Sequence, residues 1–150
     1  MLVLTLQALL ATGCKHLVAT YDFCFTSTHI YCAMEWCGGG DLAGYLKTNR
    51  KLDAATLRRL AIHLGLAFYE LDQKQIIHRD LKPQNVLIAI KGTAAPPENM
   101  VFKVCDFGIS RHLAPRQLAQ TFIGTPCYLA PEVLQQKKYD NKGNVRMITV

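Results

Sequence analysis

No Cys-x-x-Cys pair occurs in this 150-residue chain, although it carries six cysteines, at 14, 24, 32, 37, 105 and 127. That spacing excludes the common zinc and redox motifs, and the cysteines are too sparse for a small secreted disulfide scaffold. Reduced thiols in a cytoplasmic protein are expected. Long apolar runs are also missing. Met1 to Ala11 is apolar, but it is too short to span a bilayer and no basic segment precedes it as in a secretory signal. It reads as the end of a buried helix, and integral membrane insertion is not expected. Dense basic runs are lacking too. The net charge of +6 is scattered, with short pairs at Arg58-Arg59 and Lys137-Lys138. A nucleic-acid surface would need a concentrated basic patch with aromatics between, so no nucleic-acid partner is expected. What remains is ordinary: 50% hydrophobic and 19% charged residues, the balance of a soluble globular domain.

Leu17 to Phe25 and His29 to Trp36 are rich in β-branched and aromatic residues, which predicts two strands joined by the polar turn Thr26-Ser27-Thr28. Gly38-Gly39-Gly40 breaks the pattern as a linker, and Asp41 is placed to cap a short helix running to about Asn49. Asp53 opens the clearest helix, which should end near Lys74. Leu57, Leu60, Ala61, Leu64, Phe68 and Leu71 recur on one face at helical spacing. Val86 to Ile90 and Val101 to Val104 read as strands, with a surface loop containing Pro96-Pro97 between them. From Ile109 to Ala130 the period is lost, as in a long functional loop.

Three blocks carry chemistry, in this order: His78-Arg79-Asp80-Leu81-Lys82-Pro83-Gln84-Asn85, then Asp106-Phe107-Gly108, then Ala130-Pro131-Glu132. Any one alone is weak. Together, with a helix before the first and strands between the first two, they match the catalytic-loop, metal-binding and Pro-Glu signatures of protein kinases. The residue types suit the reaction. Phosphoryl transfer needs a positioned hydroxyl, metal ions on phosphate oxygens and cations near the charge in transit. The Asp80 carboxylate can accept the hydroxyl proton. Asn85 and Asp106 offer hard oxygens suited to Mg²⁺. Lys82 supplies positive charge at the transferring group.

The chain thus resembles a eukaryotic-type protein serine/threonine kinase domain over about residues 15 to 142. Met34 to Leu42, the catalytic block, Asp106 to Arg111 and Thr125 to Leu134 are similar to the autophagy-initiating kinases. The resemblance implies an α+β, protein-kinase-like fold in truncated form. Residues 1–37 would be the end of the sheet-containing N-lobe and the hinge. Residues 38–142 would be the first, mainly helical half of the C-lobe with the catalytic loop and activation segment, and 143–150 a tail departing from the family pattern. It implies ATP and Mg²⁺ as cofactors, a protein substrate and regulatory protein partners. Met34 would be the gatekeeper, with plain core as the alternative. The backbone of Glu35 and Cys37 would bond adenine, Asp41 would approach the ribose or simply cap a helix, and Leu87 would form the adenine floor. His78 would pack beneath the site against Phe107. Lys82 is the serine/threonine form of the loop. Thr125 would contact Asp80 and Lys82, and Thr121 lies where many relatives carry an activating phosphate, which could pair with Arg79.

The chain departs from the family at both ends. No Gly-rich phosphate loop and no Val-Ala-Ile-Lys strand is present, Lys15 is the only lysine before the hinge, and Leu2 stands about where the family's helix glutamate is expected. The Asp and Trp-Ser of the following helix are missing, since the only tryptophan is Trp36. Two functions follow: a protein kinase fragment impaired in catalysis, or a non-catalytic interaction module. Poor stability of the chain alone is expected, because the face of the helix from Asp53 to Lys74 would be uncovered.

Overall fold

A computed structural model describes residues 13–74, 76, 78, 80–90 and 97–106. The expected N-terminal helix end at 2–11, the long loop at 109–130, and Arg79, Phe107, Thr121, Thr125 and Glu132 lie outside the described residues.

Two antiparallel hairpins and two helices make up the described part. Strand β1 (Thr20–Phe25) pairs with β2 (Ile30–Met34), with Phe25 opposite Ile30. The turn between them closes as Thr26 N–H donates to His29 O at 2.9 Å. The single strand expected over 17–25 is in fact two segments. Leu17 forms a parallel bridge to Val104, and only from Thr20 does the chain pair with β2. The apolar residues Leu17-Val18-Ala19 run into Thr20 with no turn residue between, so local composition does not mark the change of partner.

The helices begin where the aspartates predict. In α1 (Leu42–Asn49) the Asp41 carboxylate accepts from Gly44 N–H at 2.8 Å. In α2 (Ala54–Gln73) Asp53 accepts from Thr56 N–H at 2.7 Å. Each cap satisfies one of the orphan donors of a first turn. Helix α2 ends as Ile76 N–H turns back to Leu71 O. No helix among the described residues is long and apolar enough to cross a membrane.

Strands β3 (Val86–Ile90) and β4 (Met100–Val104) pair antiparallel, with Leu87 opposite Lys103 and Ile88 opposite Phe102. Alternation gives this hairpin two faces. Val86, Ile88, Met100, Phe102 and Val104 join Leu60, Leu64, Phe68 and Leu71 of α2 in the main core. Each such fully buried side chain contributes about 1.5–3 kcal/mol of transfer free energy. The opposite face, with Leu87, Ala89, Val101 and Cys105, meets Val18 and Cys37 in a smaller cluster.

The core stripe of α2 is rotated from the expected one. Leu57 is 55% exposed, and Ala61 is exposed as well, whereas Thr56 and Ala67 are buried. Ile62, Leu66 and Tyr69 are also exposed. The helix is apolar on more than one side, so its period allows several stripes, and contact with β4 selects one.

Candidate active site

The segment after α2 hangs from buried anchors. Ile76 and Leu81 enter the main core, and His78 is fully buried, edge-on to Phe68 at 6.5 Å between ring centroids. His78 Nε2 lies 2.9 Å from Cys105 O, and its Nδ1 lies 3.2 Å from Asp80 N. A carbonyl can only accept and an amide N–H can only donate, so the ring is a neutral imidazole protonated at Nε2. One side chain thereby ties the backbone of residue 80 to the end of β4. This agrees with a structural rather than a chemical role for His78.

Asp80, Lys82 and Asn85 are in direct contact. Lys82 Nζ donates to Asp80 Oδ2 at 2.9 Å. Asn85 Nδ2 donates to Asp80 O at 2.8 Å and to Asp80 Oδ2 at 3.3 Å. Asn85 sits at the end of a single 3-10 turn, Pro83–Asn85, whose proline lacks the N–H that would be unpaired there. Both amide contacts use the nitrogen, which turns the Asn85 Oδ1 away from Asp80. Cys105 N–H donates to Asn85 O at 3.0 Å, so Asp106 follows a residue bonded to both Asn85 and His78. Asp106 itself has φ of 57°, a left-handed conformation that aspartate tolerates better than most side chains.

A second group surrounds the β3–β4 face. Gly39 N–H donates to Ile88 O at 2.9 Å and Ile88 N–H to Gly40 O at 2.8 Å, laying residues 37–41 along β3. Asp41 and Leu87 form an antiparallel bridge. Glu35 N–H donates to Ala19 O at 2.8 Å. Met34 is 47% exposed. Burial, reinforced by the negative charges of Asp106, the Cys37 thiolate and Asp41, pushes the Cys105 thiol up to about 12. Those residues are therefore within electrostatic reach of Cys105, which is an uncharged thiol. Among the described residues no cluster of three or more His, Cys, Asp or Glu forms a protein-only metal cage.

Sequence and profile comparisons meet this geometry from outside. The protein kinase domain profile matches residues 4–146. The chain belongs to the protein kinase domain family. It is 42% identical over 132 residues to serine/threonine-protein kinase ULK1 of Homo sapiens, covering 87% of this chain and 13% of that protein. It is 38% identical to serine/threonine-protein kinase ATG1a of Arabidopsis thaliana, covering 87% of this chain and 20% of that protein. It is also 38% identical to serine/threonine-protein kinase unc-51 of Caenorhabditis elegans, covering 87% and 16%. The chain thus spans a fifth or less of the length of these relatives. They are the kinase group that residues 34–42 and the catalytic block resemble, and the α+β hairpin-and-helix arrangement is that of a partial kinase domain.

Within the kinase frame, sequence reasoning passed over two residues. Lys103 was absorbed into an apolar strand, yet it is buried and pairs with Glu35. A lysine inside an apolar run was itself a signal, since a buried ammonium requires a counter-ion. Gly39, read as linker, approaches β3 so closely that a Cβ there would lie 2.7 Å from Ile88 O.

Proposed function

We propose that this chain carries the catalytic loop and nucleotide floor of an ATP-dependent protein serine/threonine kinase, acting on hydroxyls of protein substrates in the cytoplasm, with regulatory proteins as further partners. The observation carrying this reading is the contact set of Asp80, Lys82 and Asn85 together with the Cys105 backbone that leads to Asp106. Asp80 accepts the proton of the incoming serine or threonine hydroxyl, whose oxygen forms the new bond to the γ-phosphorus as the bond to the leaving ADP oxygen breaks. Lys82 neutralises charge on the phosphoryl group in transit. Its contact with Asp80 Oδ2 at 2.9 Å supports that role.

The donor set fits Mg²⁺. Asn85 presents an amide oxygen because its nitrogen is committed to Asp80, and Asp106 offers a carboxylate. Mg²⁺ takes one or two protein oxygens and completes its shell with water and phosphate. When bound, it would neutralise the phosphate oxygens of ATP. Glu35, Cys37 and Leu87 would face the adenine, Asp41 the ribose, and Met34 would stand as gatekeeper. The Asp41 carboxylate already caps α1 through one oxygen, which leaves the other for a ribose hydroxyl. Thr121 and Thr125 complete the proposal as activation-segment positions.

The decisive experiment follows labelled γ-phosphate from ATP to a protein substrate and compares wild type with Asp80→Asn. Transfer should fall by about 10²–10⁴-fold on loss of the base, while nucleotide binding is retained. Nucleotide binding without transfer in the wild type would replace the enzyme reading with a non-catalytic interaction module.

A further inference from the structure

Lys103 is the one charged residue on the face of the β3–β4 hairpin that otherwise presents Leu87, Ala89, Val101 and Cys105. The residue is 4% exposed, and Nζ reaches Glu35 Oε2 at 2.5 Å, 68 positions away in sequence. The same carboxylate oxygen accepts Ala19 N–H at 3.3 Å, while Glu35 N–H donates to Ala19 O. Residue 35 is therefore fixed by backbone on one side and by charge on the other. Lys103 also stands directly opposite Leu87 in the hairpin register.

A stability role does not account for this arrangement. Burying the Lys103 ammonium against the Glu35 side chain, which stays 21% exposed, costs desolvation free energy, and replacing such a pair by apolar residues is often neutral or stabilising. What the pair does supply is position, because Lys103 Nζ and Ala19 N–H hold the same Glu35 oxygen from two sides. We propose that Lys103 is a positioning residue for nucleotide binding: by anchoring Glu35 it sets where the 35–37 backbone stands beside Leu87, and so where the edge of a purine base lying on Leu87 finds its hydrogen-bonding partners. This inference rests on the nucleotide-site reading above. Hydrogen-bonding backbone atoms on 35–37 discriminate a base edge only when preorganised.

The test measures binding of ADP, which needs no transfer chemistry, to the intact protein and to Lys103→Met, Glu35→Gln and the double variant. Each single variant should weaken ADP by roughly tenfold, within the range of couplings between contacting residues. The double variant should be no weaker than the worse single one, because both act through one pair. For Lys103→Met the KM for ATP should rise in parallel while kcat at saturating ATP stays within about twofold, the signature of lost positioning rather than lost chemistry. Lys103→Arg, which keeps the charge, should recover most of the affinity. Should a single variant fail to fold, the uncharged double variant, with circular dichroism matching wild type, decides the matter. Wild-type ADP affinity in folded Lys103→Met or in the double variant, or additive losses across the cycle, would overturn the inference. Wild-type protein that binds no ADP overturns instead the nucleotide-site reading on which it stands.

Discussion

Burial raises the Cys37 thiol above its ordinary range, the Glu35 carboxylate raises it further, and the Lys103 ammonium opposes both. The signs give a prediction at the scale of one residue. Glu35→Gln removes a negative charge and should lower the Cys37 titration midpoint. Lys103→Met removes a positive charge and should raise it. The check is pH-dependent alkylation with Cys37 resolved by peptide mass spectrometry. The midpoint, unlike the rate, is independent of how often the buried thiol becomes accessible. Shifts of the same sign in both variants would show that Cys37 does not sense the pair. His63 offers a second residue-scale test. Its ring accepts Phe102 N–H at 3.1 Å and stacks on His16 at 4.1 Å. Burial, then His16, then Arg59 lower its pKa from 6.5 to about 4. The folded state thus binds fewer protons than the unfolded chain between those values. Its contribution to stability is complete above pH 6.5 and is lost as pH falls toward 4. His63→Gln keeps an acceptor for Phe102 and removes the titration. Urea midpoints should therefore depend less on pH in that window than in wild type.

At the scale of elements, the seam between residues 37–41 and β3 depends on Gly39. A Cβ there would meet Ile88 O at 2.7 Å, Ile88 Cγ2 at 2.8 Å and Ile88 Cβ at 2.9 Å. Two of these belong to backbone or to a branched carbon that cannot swing aside. Gly39→Ala should destabilise by about 1–3 kcal/mol, the usual cost of overpacking, read as a lower midpoint in thermal or urea unfolding. Gly38→Ala, which meets only Trp36 Nε1 at 3.7 Å, should be nearly silent. The contrast shows what sequence alone conveys. Both helices were legible from Asp41 and Asp53 because capping is a local interaction. Strands β3 and β4 were legible from apolar runs between turn signals. The roles of individual glycines, the change of partner between Leu17 and Thr20, and the rotated stripe of α2 were not legible. Each is decided by an element far away in sequence. The candidate site divides the same way. Asp80, Lys82 and Asn85 lie within one short block and could be read together, whereas Lys103 acquires its meaning only from Glu35.

For the whole molecule, the two hairpins differ sharply in support. Strands β3 and β4 pack on α2, and residues 16–18 pair along the edge of β4, with Phe102 and Val104 fully buried. In β1 no residue is fully buried, and Tyr21, Phe25 and Tyr31 are largely exposed. A two-stranded hairpin without a packed face is marginal in water. Native-state hydrogen exchange should therefore find amides of 20–34 opening locally, and those of 60–71 and 100–104 exchanging only through global unfolding. Uniform protection across both hairpins would contradict this division. Among the described residues, the ties from the first hairpin to the second run through 16–18, beside Val104, through Glu35 to Lys103, and through residues 37–41 along β3. The first tie is backbone and survives any side-chain change. Lys103→Met should consequently speed exchange in 20–34 while leaving 100–104 protected, since it cuts the charged tether without disturbing the β3–β4 ladder. Faster exchange in both hairpins would mean that the buried pair holds up the core rather than positioning one hairpin over the other.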